Sequence, residues 1–384
     1  MMGGTVTRIK GRVVTSGEVR YGAVYVKDGT ITYVGCENLP FDREYDAGDC
    51  YVMPGLIDVH THGAVGFDYS EADTEGVLAA VRYQVSRGAT SVMPTVTSST
   101  PEQTCRALEN IEAAMADKKY GGCIVGAHLE GPYFSPAQSG AQDKSLITPP
   151  KREDYERITK RFGHIIRRWD YAPELDADGE FCAYLKAHNI LPSAGHTDAK
   201  YEDMLVAREN GCKLITHLYS CTSTITREKG FRKLGVTECA YLWDDMYVEI
   251  IADGRHLPRE LLQLIFKLKP HSKILLITDS MSVAGTSEKQ GQLGSLSYVI
   301  EDEVCKLLDR SAFAGSIATA DRLLRVVTDA GLDVTEACKM GCATPAELFG
   351  LNKGRLEVGY DGDIVIADKN FDVNNVFIKG EPIK

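Results

Sequence analysis

The sequence predicts an α/β protein, a (β/α)8 TIM-like barrel joined to a small β-sandwich domain formed from both chain termini. Three observations lead to this prediction. The middle of the chain alternates apolar strand patterns with amphipathic helical patterns. Both ends carry short strand patterns instead. The chain has 384 residues, a length that suits a large barrel with one accessory domain.

The two ends of the chain resemble each other in pattern. The stretch GAVYVKDGTITYVG alternates around Asp28-Gly29, which is a strong hairpin signal. The C-terminal stretch GRLEVGYDGDIVIAD carries another Asp-Gly pair at 361–362, and NNVFIKGEPI follows it. We therefore assign residues 1–54 and 346–384 to the small β-sandwich domain and residues 55–345 to the barrel.

Eight apolar stretches in the middle segment have the length and composition of buried strands: GLIDVH, TSVMPTV, CIVGAHLE, HIIRRWDYAPE, ILPSAGH, KLITHLY, YVEIIADG and KILLITD. Helical patterns separate most of them, and in PEQTCRALENIEAAMAD the residues Thr100 and Gln103 fit a capping box. Eight strands that alternate with helices favour the barrel. An open doubly wound sheet is the alternative, but no glycine-rich dinucleotide fingerprint follows the first strand.

Composition excludes several kinds of partner. The formal net charge is −11, so a nucleic-acid partner is not expected. No apolar run approaches the ~18 residues of a membrane helix, so no membrane partner is expected either. The first residues lack the apolar core of a signal peptide, and the 11 cysteines show no CxxC spacing. We therefore expect a cytoplasmic protein with reduced thiols.

Residues that can bind metals stand at the ends of the predicted strands, where barrel enzymes place their chemistry. His60 and His62 are two apart on the first strand, so they point to the same side. The other strand ends carry His128, Glu130, His196, His217, Asp253, His256 and Asp279. A single histidine beside an apolar run is usually structural, but a group of imidazoles and carboxylates is what a divalent transition metal requires. The sequence therefore predicts a metal site at the barrel mouth.

Seven motifs, taken in chain order, resemble the N-acetylglucosamine-6-phosphate deacetylases of the amidohydrolase superfamily: PGLIDVHTHG, GAHLEGPYFSPAQSGAQD, SAGHTDA, ITHLYS, IADGRH, ITDSMSVAG and FAGSIATAD. The HxH pair is typical of the whole superfamily. The combination of HLEGP, GHT and THLY is more specific to this branch. Dihydroorotases and hydantoinases, which use a carboxylated lysine, differ from this chain, which has Glu130 at the third strand.

The resemblance implies one or two divalent metal ions per subunit, Zn²⁺ or Fe²⁺. It implies that Glu130, His196 and His217 hold the principal metal, and that His60 and His62 hold a second one with Glu130 bridging. Asp279, beside the metal, is the implied catalytic acid and base. The substrate-binding residues that the resemblance implies are Ala141, Gln142, Ser220, Cys221, Arg227 and His256. It also implies a homodimer in which Arg227 completes the neighbouring subunit's site.

The implied reaction is hydrolysis of the acetamide of N-acetyl-D-glucosamine 6-phosphate to D-glucosamine 6-phosphate and acetate, in amino-sugar catabolism. Ser220, Cys221 and Thr222 stand where the family usually has Asn-Ala-Met, so N-acetylgalactosamine 6-phosphate is an alternative substrate. A cyclic amide or an adenine-like base is a further alternative, against which Arg227 and Gln142 speak. A non-catalytic scaffold is disfavoured because the chain retains every implied ligand.

The basic run TREKGFRK, which contains Arg227, follows the sixth predicted strand. Such a run is ordinarily a solvated surface. Its position on the reactive side of the barrel, and the planar fork of arginine, make phosphate binding the functional hypothesis.

Overall fold

The computed structural model describes residues 5–383, so residues 1–4 and 384 of the predicted terminal domain lie outside the described residues. Eight parallel strands form one sheet whose order follows the chain: Leu56–Thr61, Ala89–Thr97, Ala127–Glu130, Ile166–Tyr171, Leu191–Ala194, Leu214–Ile215, Tyr247–Ile251 and Ile274–Ile277. The backbone N–H of Asp279 donates to the carbonyl of His60 at 2.9 Å and so brings the last strand against the first. The predicted barrel is confirmed, and we number these barrel strands one to eight.

A helix follows each barrel strand and covers the outside of the barrel: Thr74–Ser86, Pro101–Met115, Arg152–Phe162, Glu180–Ala187, Tyr201–Asn210, Val236–Leu242, Arg259–Leu268 and Ala320–Asp329. The predicted capping box is present, because Thr100 accepts from the Gln103 N–H while the Gln103 side chain accepts from the Thr100 N–H. The connections also contain single 3-10 turns: Gly121–Cys123, Pro136–Gln138, Pro173–Leu175 and His271–Lys273.

The two chain ends form a second sheet of seven strands: Val6–Val14, Val19–Lys27, Thr30–Gly35, Arg43–Pro54, Ile364–Ala367, Val373–Ile378 and Glu381–Pro382. The N-terminal and C-terminal parts join where Arg43–Pro54 pairs with Ile364–Ala367. The predicted hairpin is present, with positive φ at both Asp28 and Gly29, as a tight primed turn requires. The domain boundaries stay a prediction.

The N-terminal end of the barrel is closed by the segment that precedes the C-terminal strands. This segment contains the helix Val334–Cys338, the π-helical turn Lys339–Ala343 and the helix Thr344–Phe349. Ala346 and Phe349 pack with residues of the barrel interior such as Ile57 and Leu275. The opposite end, where the strands finish, is therefore the end that can hold a site.

Three strand pairings that the sequence pattern did not predict lie after the C-terminal ends of barrel strands. A short pair, Gly63–Ala64 with Phe67–Asp68, follows strand one, and a hairpin, Thr226–Glu228 with Phe231–Lys233, follows strand six. A four-stranded antiparallel sheet, which we call the insert, separates strand eight from its helix and consists of Gln290–Leu293, Leu296–Glu301, Val304–Leu307 and Phe313–Ser316. Among residues 5–383, no helix combines the length and hydrophobicity that crossing a membrane requires.

Candidate metal centre and active-site pocket

Backbone geometry turns three of the predicted ligands over the barrel mouth. His196, His217 and Asp279 each lie two residues beyond the last residue of a barrel strand. Their φ angles are 47°, 29° and 48°, in the left-handed region that side chains rarely adopt. Such conformations are held only where the surrounding structure determines them, and they concentrate at functional sites. Strands five, six and eight thus end in the same strained turn, and each turn presents one ligand.

The first ligand group consists of Glu130, His196 and His217. Glu130 Oε1 lies 3.1 Å from His196 Nε2 and 3.2 Å from His217 Nε2, and the two Nε2 atoms are 3.2 Å apart. Nδ1 of each ring lies 3.0 Å from a backbone carbonyl, that of Gln138 or of Ser220. Carbonyls only accept, so each Nδ1 carries a hydrogen, and Nε2 of the neutral ring is the nitrogen whose lone pair can bind a metal. Three acceptors that face one another this closely fit a cation between them.

The second ligand group consists of His60, His62 and Asp279. His62 Nε2 lies 3.2 Å from Asp279 Oδ1, and His60 Nε2 lies 3.6 Å from the same oxygen. Glu130 reaches both groups, since its Oε2 lies 3.3 Å from His62 Nε2 while its Oε1 faces the first group. Within residues 5–383, His60 Nε2 and His62 Nδ1 are buried without a well-formed hydrogen bond. Buried polar atoms of this kind fit a metal site.

The electrostatics of the cluster favour positive charge among the imidazoles. Burial by itself lowers the pKa of His60, but Glu130 and Glu249 outweigh it and hold that pKa well above the usual range. Burial likewise raises the pKa of Glu130, but His60, His196 and His217 outweigh it and hold that pKa well below the usual range. The carboxylates are therefore ionised and attract a cation.

A pocket of about 200 Å³ opens over the two ligand groups. The predicted residues that line it are His62, Glu130, Ala141, Gln142, His196, His217, Ser220, Cys221, His256 and Asp279. His60 is fully buried beneath this surface. The structure does not bring Arg227 to the pocket of its own chain, since that side chain is exposed on the hairpin, opposite Arg232.

Two predicted substrate residues already have partners within the chain. Gln142 donates from Nε2 to Glu130 Oε2 at 2.7 Å and accepts at Oε1 from the Thr97 hydroxyl at 2.8 Å. It therefore orients a metal ligand as well as lining the pocket. His256 Nδ1 lies 2.8 Å from Asp253 Oδ2. Burial raises the pKa of Asp253, but the hydrogen bonds from His256 outweigh it, so the pKa is lowered and the carboxylate stays ionised.

Sequence reasoning missed two sets of residues near the site. Leu293, Phe313 and Ala314 of the insert line the pocket, and Phe313 packs edge-on against the His256 ring with centroids 5.0 Å apart. Phe313 and Ala314 belong to the FAGSIATAD motif, which was the only available signal. Arg168, Asp170 and Glu249 form the second set and lie fully buried beneath the ligands. The sequence signal for these three residues was a charged residue inside an otherwise apolar strand pattern.

Residues 51–383 match the model of the Amidohydrolase family. The chain belongs to the amidohydrolase family. Amidohydrolases are metal-dependent, and the two ligand groups beneath the pocket fit that dependence.

Relatives of known name confirm the resemblance found in the motifs. The N-acetylglucosamine-6-phosphate deacetylase of Bacillus subtilis (strain 168) is 32% identical over 379 residues, which cover 96% of this chain and 94% of the relative. A solved mutant structure of the N-acetyl-D-glucosamine-6-phosphate deacetylase of Mycobacterium smegmatis, in complex with N-acetyl-D-glucosamine-6-phosphate, superimposes with a TM-score of 0.91 at 27% identity and covers 99% of both chains. The Thermotoga maritima N-acetylglucosamine-6-phosphate deacetylase gives a TM-score of 0.87 at 28% identity and covers 98% of both chains. This amidohydrolase therefore shares its whole architecture with these proteins.

Proposed function

We propose that this amidohydrolase hydrolyses the acetamide of N-acetyl-D-glucosamine 6-phosphate to D-glucosamine 6-phosphate and acetate. The observation that carries the proposal is the convergence of two metal-ligand groups, Asp279 and His256 on one pocket. The names of the relatives supply the substrate class.

Zn²⁺ or Fe²⁺ is the proposed metal, since imidazole and carboxylate ligands suit both. Glu130, His196 and His217 would hold the principal ion, and His60, His62 and Asp279 would hold a second ion that Glu130 also reaches. When bound, such a metal polarises a carbonyl and lowers the pKa of water to about 7.

Asp279 is the proposed acid and base. Burial raises its pKa, but the hydrogen bond from His62 and the charges of the nearby imidazoles outweigh burial, so the pKa is lowered and the carboxylate is ionised. An ionised carboxylate at the pocket floor can take a proton from the attacking water and then deliver it to the amine nitrogen as the C–N bond breaks. One residue thereby serves both proton transfers.

His256 is proposed to stabilise the oxyanion that forms from the acetyl carbonyl. Asp253 holds its Nδ1 at 2.8 Å, so Nε2 is the ring nitrogen that remains to contact the substrate. A donor aimed at developing negative charge is typically worth 10²–10³ in kcat.

Arg227 is proposed to bind the substrate phosphate in the neighbouring subunit of a homodimer. Two features of the hairpin region support this. Arg227 is far enough from its own pocket that it does not line it. Phe231 is 76% exposed and Ile225 is 51% exposed beside the basic residues. Exposed large apolar side chains next to arginine suit a protein interface.

An acetate-release assay tests the proposed function. N-acetylglucosamine 6-phosphate, its galacto epimer and unphosphorylated N-acetylglucosamine are compared at equal concentration, with metal content measured on the same preparation. We expect the phosphorylated gluco sugar to be the best substrate. Preference for the galacto epimer would reassign the sugar, because Ser220 and Cys221 line the pocket. No release from any of the three by a metal-loaded protein would refute the proposal.

A further inference from the structure

A layer of charged side chains fills the barrel interior directly beneath the metal ligands. Arg168 and Asp170 lie on strand four and Glu249 lies on strand seven, and all three are 0% exposed. Arg168 Nη2 donates to both oxygens of Asp170, at 3.0 and 3.1 Å. The same guanidinium donates to both oxygens of Glu249, through Nη1 and through Nη2, the latter at 3.2 Å. One arginine therefore clamps two carboxylates.

Filling a barrel interior with charged side chains is energetically unfavourable. The interiors of such barrels are dominated by branched apolar side chains. Burying an ion costs several kcal/mol even after relaxation, and a buried ion pair is often no more stable than an apolar replacement. Stability alone therefore does not explain a charged layer at this depth. The side chains of the layer contact the metal ligands, which indicates a functional role.

Glu249 touches a ligand of the second group. Its Oε2 lies 3.2 Å from Nδ1 of His60, and a weaker contact of 3.4 Å joins it to the backbone N–H of His217. An ionised carboxylate can only accept, so His60 carries its hydrogen on Nδ1 and directs the Nε2 lone pair at the pocket. Histidine ligands are commonly oriented by a carboxylate in this way.

The two ligand groups differ in this respect. His196 and His217 give their Nδ1 hydrogens to backbone carbonyls, which are part of the fold. His60 depends on a side chain instead. The ring of His128 also packs edge-on against His60 with centroids 4.6 Å apart, and Asp170 Oδ2 lies 3.1 Å from His128 Nε2, so the layer limits how the His60 ring can turn.

We propose that Glu249 is a positioning residue that fixes the tautomer and orientation of His60 for a second divalent metal ion, and that Arg168 holds Glu249 in place for this task. The inference rests on the proposed metal-dependent function, which it deepens by assigning a positioning residue to the second ion. Glu249 touches the first ligand group only through the weak 3.4 Å contact to the backbone N–H of His217, so we expect occupancy of that group to stay close to wild type.

The test is a metal titration of the demetallated full chain with Zn²⁺, followed by calorimetry and elemental analysis. Glu249→Gln keeps the shape of the side chain but gives it a donor as well as an acceptor. We expect wild type to bind two equivalents, and we expect the variant to keep one unchanged and to bind the second 10- to 100-fold more weakly. Asp363→Asn is the control, because it removes another buried carboxylate that pairs with a cation, Lys353, in the terminal sheet. That variant should bind both equivalents as wild type does.

Nitrogen NMR of ¹⁵N-histidine-labelled protein reports the tautomer independently of metal uptake. The expected result in Glu249→Gln is loss of the Nδ1–H signature of one buried histidine. Should that variant fail to fold, Arg168→Lys removes the bidentate clamp on Glu249 and is expected to weaken the second equivalent in the same way. Two equivalents bound with wild-type affinity by the variant, or a single equivalent in wild type that the substitution leaves unchanged, overturns the inference. Failure of the proposed function looks different, because it is absence of acetate release from a protein that binds metal normally.

Discussion

Arg227→Ala tests whether two subunits share each active site. Arg227 is exposed in its own chain and does not line its own pocket, so its removal deletes no buried contact within the subunit. Losing a charge-assisted bidentate contact to a phosphate in a sheltered site costs about 2–4 kcal/mol. We therefore expect kcat/KM for the phosphorylated sugar to fall by about 30- to 900-fold, whereas slow hydrolysis of the unphosphorylated sugar should barely change.

The control removes the same charge from the same hairpin. Lys229 lies at the hairpin turn with φ at 47°, a conformation that asparagine tolerates well. Lys229→Asn therefore lowers the hairpin's charge by one without disturbing the turn. If general electrostatic attraction rather than a specific contact explains the effect, the two variants should lose activity to the same extent.

Mixing two inactive variants then decides between the partner's site and the subunit's own. Asp279→Asn chains are combined with Arg227→Ala chains under conditions that exchange subunits, and exchange is checked by native mass. If Arg227 acts on the neighbouring site, each mixed dimer has one intact site. Random reassembly should then recover about one quarter of wild-type activity, since about half of the dimers are mixed. Complete exchange without recovery would refute the shared site.

Three further substitutions give independent predictions. Asp279→Asn, in which asparagine suits the positive φ of this position, should lower kcat by on the order of 10² or more, while elemental analysis should show that the ion of the first ligand group remains; near-normal turnover would point to Asp253 instead. Phe313→Ala removes the ring that packs on His256 and should lower kcat/KM by about two- to tenfold, whereas Phe313→Leu should lose less, and equal values for all three proteins would remove Phe313 from the site. Burial lowers the pKa of Lys269 to about 8, so the unfolded chain binds more protons between that pH and its ordinary pKa of 10.5, and the free energy of unfolding should rise with pH across this window. Urea denaturation should show a smaller rise in Lys269→Met, and identical slopes would contradict this.

The barrel and its ligands could be predicted because both follow local rules. Each of the eight apolar stretches became a barrel strand, and polar residues directly after a parallel strand must gather at one end of the sheet. The sequence did not predict the insert, because its strands, such as Gln290–Leu293, are short and half-exposed and show no clear alternation of apolar and polar residues. Phe313 lies on the edge strand Phe313–Ser316 of the insert, outside every element that the barrel pattern specifies, so only the folded chain brings that ring to His256.

The sequence did not predict the buried charged layer for another reason. The charge of this layer also bears on the number of metal ions. A charged residue inside an apolar strand pattern is uninformative by itself, because its partner lies on a distant strand: Arg168 meets Glu249 across 81 positions. Arg168 and the four carboxylates that bind its guanidinium or belong to the two ligand groups have a definite combined charge. Arg168 is positive, whereas Asp170 and Glu249 beside it, and Glu130 and Asp279 above them, all have lowered pKa values and are negative.

When the imidazoles are neutral, as metal ligands are, these five groups together carry three negative charges, and an uncompensated buried charge is costly. One divalent ion leaves an excess of one negative charge, which would oppose the development of negative charge on a carbonyl oxygen. Two divalent ions leave an excess of one positive charge, which favours it. The carboxylates that hold His60 and Arg168 in place therefore add negative charge that favours the proposed second ion.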